Sequence, residues 1–143
     1  MTSAQANTPP SSDLPDSLDG REILDRAAVA ASDKKAIDLR LLDVRGVAGF
    51  TDYFLICSGN SDRQAKAIHD AIHAALKDEL RLLPRRVEGL PEARWILMDY
   101  VDVVVHVFVP ETRDFYRLEQ LWGDVPEIPL PAEAVTGPSP AAG

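Results

Sequence analysis

WILMDYVDVVVHVFVP, residues 95–110, decides the fold. Two runs rich in apolar and β-branched residues flank a short polar break, which predicts two antiparallel strands and a tight turn. With Tyr100-Val101 as a two-residue turn, Asp99 faces Asp102, Leu97 faces Val104 and Trp95 faces His106. One surface then holds Ile96, Met98, Val103, Val105 and Val107, and is wholly apolar. It belongs against helices, in a core. The other surface mixes Trp95, Leu97, Val104 and Phe108 with Asp99, Asp102 and His106. An apolar patch with an acidic rim is the makeup of a protein-binding site. The competing reading is that a helix or tail covers this face too, as happens to strands apolar on both sides. A longer turn would shift the register and swap the two faces.

Outward from the hairpin, ETRDFYRLEQLW (111–122) predicts a last helix with Phe115, Leu118, Leu121 and Trp122 inward. Upstream, SDRQAKAIHDAIHAALKDEL (61–80) is the clearest helix. Ser61 is placed to cap it, Gln64 follows at capping-box spacing, and Ala65, Ile68, Ile72, Ala75 and Leu76 form its apolar stripe. TDYFLICSG (51–59) and AIDLRLLDVR (36–45) read as strands, and PRRVEG (84–89) as a short extended segment. REILDRAAVAASDKK (21–35) is a helix with Asp19 as N-cap. The order α β β α β β β α implies one mixed α/β domain, with helices on one face of a mixed five-stranded sheet.

The domain spans residues 20–122. Residues 1–19 are rich in Ser, Pro, Asp and Ala, and residues 123–143 carry five prolines without apolar periodicity. Both read as disordered tails, because such composition does not bury enough surface to offset ordering entropy. The chain carries a net charge of -8. Three acids sit in each tail, which leaves about −2 for the middle. A domain that grips nucleic acid unaided has a basic face, and the only dense basic spot is Arg85-Arg86. Direct DNA binding is therefore not expected, and a mildly acidic surface suits a basic protein partner. A single cysteine, Cys57, permits no internal disulfide. With no apolar run near the ~20 residues of a membrane span and no visible targeting segment, a cytoplasmic location is expected.

Three patterns hint at other chemistry. HDAIH (69–73) places His69 and His73 one helical turn apart, like a zinc-protease motif with Asp70 in place of its Glu. No convincing third ligand accompanies them, so no metal site is expected. SGNS (58–61) resembles the Gly-Ser turn of nucleotidyltransferases, which cradles phosphate, yet the converging carboxylates that hold magnesium are missing. A helix N-cap is the plainer reading. Cys57 lies in an apolar strand without a basic neighbour, the setting of an inert thiol. No catalytic residue and no cofactor is assigned.

Four blocks in order carry a resemblance. They are Asp52-Tyr53-Phe54 with Ser58-Gly59 and Arg63-Gln64; Val87-Glu88-Gly89; Trp95 to Phe108; and Phe115-Tyr116 with Leu118-Glu119 and Leu121-Trp122. Over residues 22–122 the chain resembles the ribosomal silencing factors (RsfS, or Iojap). The resemblance implies a mixed α/β fold related to nucleotidyltransferases but without their catalytic acids. It implies binding to the fourteenth protein of the large ribosomal subunit (L14), and repression of translation under nutrient limitation by blocking the small subunit. Some members form homodimers. Carried onto this chain, the partner-binding residues are Trp95 and Leu97 as apolar anchors, Asp99, Tyr100 and Asp102 toward basic groups, and His106 in packing or contact. The chain departs from the family pattern at Val101, where glycine is usual. The runner-up is a nucleotide-binding or nucleotidyltransferase-like enzyme.

Overall fold

The computed structural model describes residues 19–135. Helix α1 (Gly20–Asp33) starts at Asp19, whose carboxylate accepts from the Arg21 backbone N–H. Its stripe of Ile23, Leu24, Ala27, Ala28 and Ala31 is buried. Strands β1 (Ile37–Asp43) and β2 (Tyr53–Ser58) follow. Helix α2 (Asp62–Leu80) is capped by the Ser61 side chain, which accepts from Gln64 N–H at 3.1 Å. The Gln64 amide does not close a capping box; it donates instead to the Lys34 carbonyl beyond α1. The chain continues as β3 (Arg86–Glu88), β4 (Trp95–Asp99) and β5 (Val103–Phe108). Then come α3 (Pro110–Tyr116), α4 (Leu118–Leu121), β6 (Glu127–Ile128) and α5 (Ala132–Val135).

The sheet has the order β3-β4-β5-β2-β1-β6. Only β2 and β5 run parallel; every other pair is antiparallel. Six strands, not five, result because part of the expected C-terminal tail joins the sheet. Glu127 and Ile128 pair with Leu42 and Leu41, and the Glu127 carboxylate grips Arg40 through two hydrogen bonds of 2.7 and 2.9 Å. Ile128 packs into the main core, and Ser32 donates to the Ala134 carbonyl. A stretch without periodicity thus gains order from two pairings too short to announce themselves. Residues 1–18 and 136–143 of the expected tails lie outside the described residues.

The expected faces of the hairpin stand, although its turn sits one residue later. Tyr100 N–H donates to the Val103 carbonyl at 2.8 Å, so Val101 and Asp102 form the loop. Trp95 therefore faces Phe108, Leu97 faces His106, and Asp99 faces Val104. Moving a two-residue turn by one place displaces the register by two, which preserves the face of every strand residue. Val101 sits at φ 75°, the left-handed region that a glycine would occupy without strain.

Ile96, Met98, Val103, Val105 and Val107 join α1 and α2 in the main core. Tyr100 is there too, 3% exposed, rather than on the opposite side with Trp95. On the opposite face a second cluster holds Leu42, Val44, Phe54, Ile56, Val104 and Phe108. Leu118, Trp122 and Val125 pack over it. The expected 111–122 helix breaks at Arg117, at φ 51°, and its outer side is not the polar one. Phe115 is 78% and Leu121 75% exposed, whereas Arg113 points inward. The Arg113 guanidinium bonds Ser58 Oγ and Glu119, and this buried polar knot sets the phase of the segment in place of its apolar residues.

Candidate protein-binding interface

Trp95 and Leu97 lie half-buried along β4, on the margin of the second cluster. The Trp95 ring packs 4.8 Å from Phe108 and 4.9 Å from Tyr116. Its indole N–H donates to Nδ1 of His106 at 3.1 Å. Tyr116, 53% exposed, meets Phe115 edge-on at 4.9 Å. A continuous aromatic row therefore runs from the buried Phe108 through Trp95 and Tyr116 to solvent at Phe115. Across the same face, Phe54 touches both Trp122 and Phe50, and Phe50 is 60% exposed. Large apolar rings are thus exposed at both margins of one sheet face, a grouping that makes this face the candidate interface where isolated exposed residues would not.

Of the six nominated residues, the structure puts Trp95 and Leu97 at this margin. Val104, His106 and Phe108 are buried beneath it, so the middle of the expected patch is already covered by the C-terminal segment. Asp99 is also buried. It accepts from Val101 N–H at 2.8 Å and from Arg85 at 2.8 Å, with Arg86 at 3.5 Å. Burial works against its charged form, but the Arg85 hydrogen bond, the Val101 N–H and the two cations outweigh it and hold its pKa below the ordinary value. Asp99 thus stabilises the turn, and its charge is spent inside the molecule. Asp102 is different: burial, then Asp52 and Asp19, push its pKa up, and no ion pair neutralises it among the described residues. It stands beside the start of α1, near Gly20, away from the Trp95 end. Phe115, Tyr116, Leu121 and Phe50 are the residues that sequence reasoning missed. Adjacent Phe115 and Tyr116 on a helix with no room for both inside was the available signal.

The other patterns resolve into structure. His69 and His73 rings lie 5.8 Å apart, and His69 Nδ1 meets the Asp70 carboxylate at 2.8 Å. No group of three or more metal-capable side chains occurs among the described residues. Ser58 lines a cleft of about 660 Å³ with Arg40, Arg113, Arg117 and acidic neighbours. Arg113 is held there by Glu119, and Arg40 by Glu127, so two of its three cations are matched internally. Burial pushes the Cys57 thiol up to about 12, which keeps it protonated and unreactive at neutral pH.

The family model described as "Ribosomal silencing factor during starvation" matches residues 17–142. The chain belongs to the ribosomal silencing factor family. Ribosomal silencing factor RsfS of Bacillus subtilis is 48% identical over 109 residues, covering 76% of this chain and 92% of the relative. A crystal structure of a Bacillus halodurans protein matches with TM-score 0.68 and 40% identity, covering 77% of this chain and 99% of its own. One from Chromobacterium violaceum matches with TM-score 0.72 and 32% identity, over 88% and 95% of the two chains. The mixed sheet flanked by helices is therefore the fold of this silencing factor family. Apart from Phe50, the aromatic residues of this margin fall within three of the four blocks that carry the resemblance, and the same blocks supply main-core residues such as Ile96, Met98 and Val105.

Proposed function

We propose that this silencing factor acts in the cytoplasm by binding the large ribosomal subunit through the Trp95 face. It contacts protein L14 there, excludes the small subunit, and lowers translation when nutrients are scarce. The observation that carries the reading is the aromatic row Trp95, Tyr116 and Phe115, which projects to solvent from a domain whose other large rings are mostly packed. Half-buried aromatic anchors with rigid backing are the residues on which protein interfaces concentrate their energy. No bond is made or broken; the mechanism is occupancy of a surface that another body needs. The acidic balance of the chain favours a basic partner.

The test is co-sedimentation of the full chain with isolated large subunits, followed by addition of small subunits. The wild type is expected to pellet with large subunits and reduce the yield of joined ribosomes. Trp95→Ala should weaken binding by about 2 kcal/mol, roughly thirtyfold, and restore joining. Wild-type protein that stays in the supernatant, or a Trp95→Ala variant that silences as well as wild type, would sink the proposal. Crosslinking that maps the bound protein away from L14 would leave silencing intact but reassign its partner.

A further inference from the structure

We infer that His106 is a positioning residue: its Nδ1 holds the indole N–H of Trp95, so the docking face presents a ring already fixed in its bound orientation. The inference rests on the Trp95 face being the docking surface. His106 lies in the middle of β5, between Ile56 on β2 and Leu97 on β4. It is buried among carbon, edge-on to Phe54 at 5.1 Å and stacked with Phe108 at 6.2 Å. Among the described residues the Trp95 indole is its one hydrogen-bond partner, and its Nε2 is buried with none. A polar ring with one atom left unsatisfied is a poorer core residue than phenylalanine would be in the same space. Its presence is explained by the one bond that it makes. An indole N–H can only donate, so Nδ1 must be the acceptor and the ring must be neutral, with its proton on Nε2.

Two consequences follow for recognition. The Trp95 ring is clamped at three points, by Phe108 beneath, Tyr116 beside and His106 at its nitrogen. Little rotamer freedom then remains to be lost on binding, which preserves affinity. Second, the N–H is already engaged, so the partner meets Trp95 through its carbon edge and face. The pocket that receives it is apolar and needs no acceptor.

Two substitutions separate hydrogen bonding from packing. His106→Phe keeps an aromatic ring, one atom larger, and removes the acceptor. His106→Asn shrinks the side chain but carries an oxygen on Cγ, where Nδ1 was. Each full-length variant is compared by the ¹H–¹⁵N resonance of the Trp95 indole, by thermal melting and by large-subunit binding. His106→Phe should move the indole resonance toward that of a free side chain and weaken binding about fivefold. His106→Asn should melt earlier yet keep the wild-type resonance and affinity. On a Trp95→Phe background, His106→Phe should cost nothing more. The inference is overturned if His106→Phe leaves the resonance in place, or binds as tightly as wild type. It is also overturned if that variant loses as much affinity without Trp95 as with it. If wild-type protein does not bind large subunits at all, the docking reading fails; the resonance then judges the clamp alone, and an unmoved signal in His106→Phe rejects it.

Discussion

Asp99 and Asp102 sit at the same hairpin turn and do opposite things. Asp99 is buried beneath two arginines, with its pKa lowered. Its ionised form is favoured by folding, so it contributes stability above the ordinary aspartate pKa and loses it as pH falls. Asp102 has a raised pKa, from burial and then from Asp52 and Asp19. Its ionised form is disfavoured by folding, so it subtracts stability at neutral pH. Urea denaturation at pH 7 should therefore show Asp99→Asn destabilised by about 2 kcal/mol and Asp102→Asn unchanged or slightly stabilised. His106 adds a pH dependence of its own. Burial lowers its pKa to about 4, against 6.5 when free. The unfolded chain then binds a proton that the native state refuses, so stability falls as pH drops from 6.5 toward 4, by roughly 3 kcal/mol over the window. His106→Phe should flatten that part of the profile in a series of denaturation midpoints.

At the scale of elements, the hairpin turn shows where a residue works against its backbone. Val101 sits at φ 75°, a region that a β-branched side chain occupies at a cost of about 1–3 kcal/mol. The turn survives because Asp99 accepts from the Val101 N–H and the flanking strands are buried. Val101→Gly should raise stability by about 1 kcal/mol in urea, the relief of strain offset in part by a more flexible unfolded chain. Which face of each hairpin strand packs against the helices was legible from period-two alternation, and it survived an error in the turn because parity did. The turn itself was not legible, since no local rule places a valine in a left-handed position. The last helix misled for a related reason. Apolar residues at 115, 118, 121 and 122 predict one inward stripe, but the Arg113–Ser58–Glu119 knot rotates the segment and sends Phe115 and Leu121 outward.

For the molecule as a whole, the C-terminal segment ties the two faces of the sheet together. Trp122 and Val125 lie on the second cluster, and Ile128 and Leu130 pack with the main core. β6, which holds Ile128, pairs along the outer edge of β1. A chain ending at residue 126 loses Ile128, the Arg40–Glu127 pair and the contact of Ser32 with Ala134. It should lose about 2–3 kcal/mol, read as an earlier urea midpoint with a smaller slope because less surface is exposed on unfolding. If the truncated protein unfolds as the full chain does, the segment is an ornament rather than a strap.

By itself the sequence determined the two long helices, five of the six strands, the face of the hairpin that packs on those helices and the family blocks. These depend on periodicity and capping, which are local and repeat over many residues. Only the tertiary structure decided which of the candidate residues reach the surface. Trp95 and Leu97 reach the surface, whereas Tyr100, Asp99 and His106 turn inward. That choice depends on what else lies across the sheet: a tail that pairs through two residues, and a helix phased by a buried arginine. Both are long-range contacts that no spacing along the chain records.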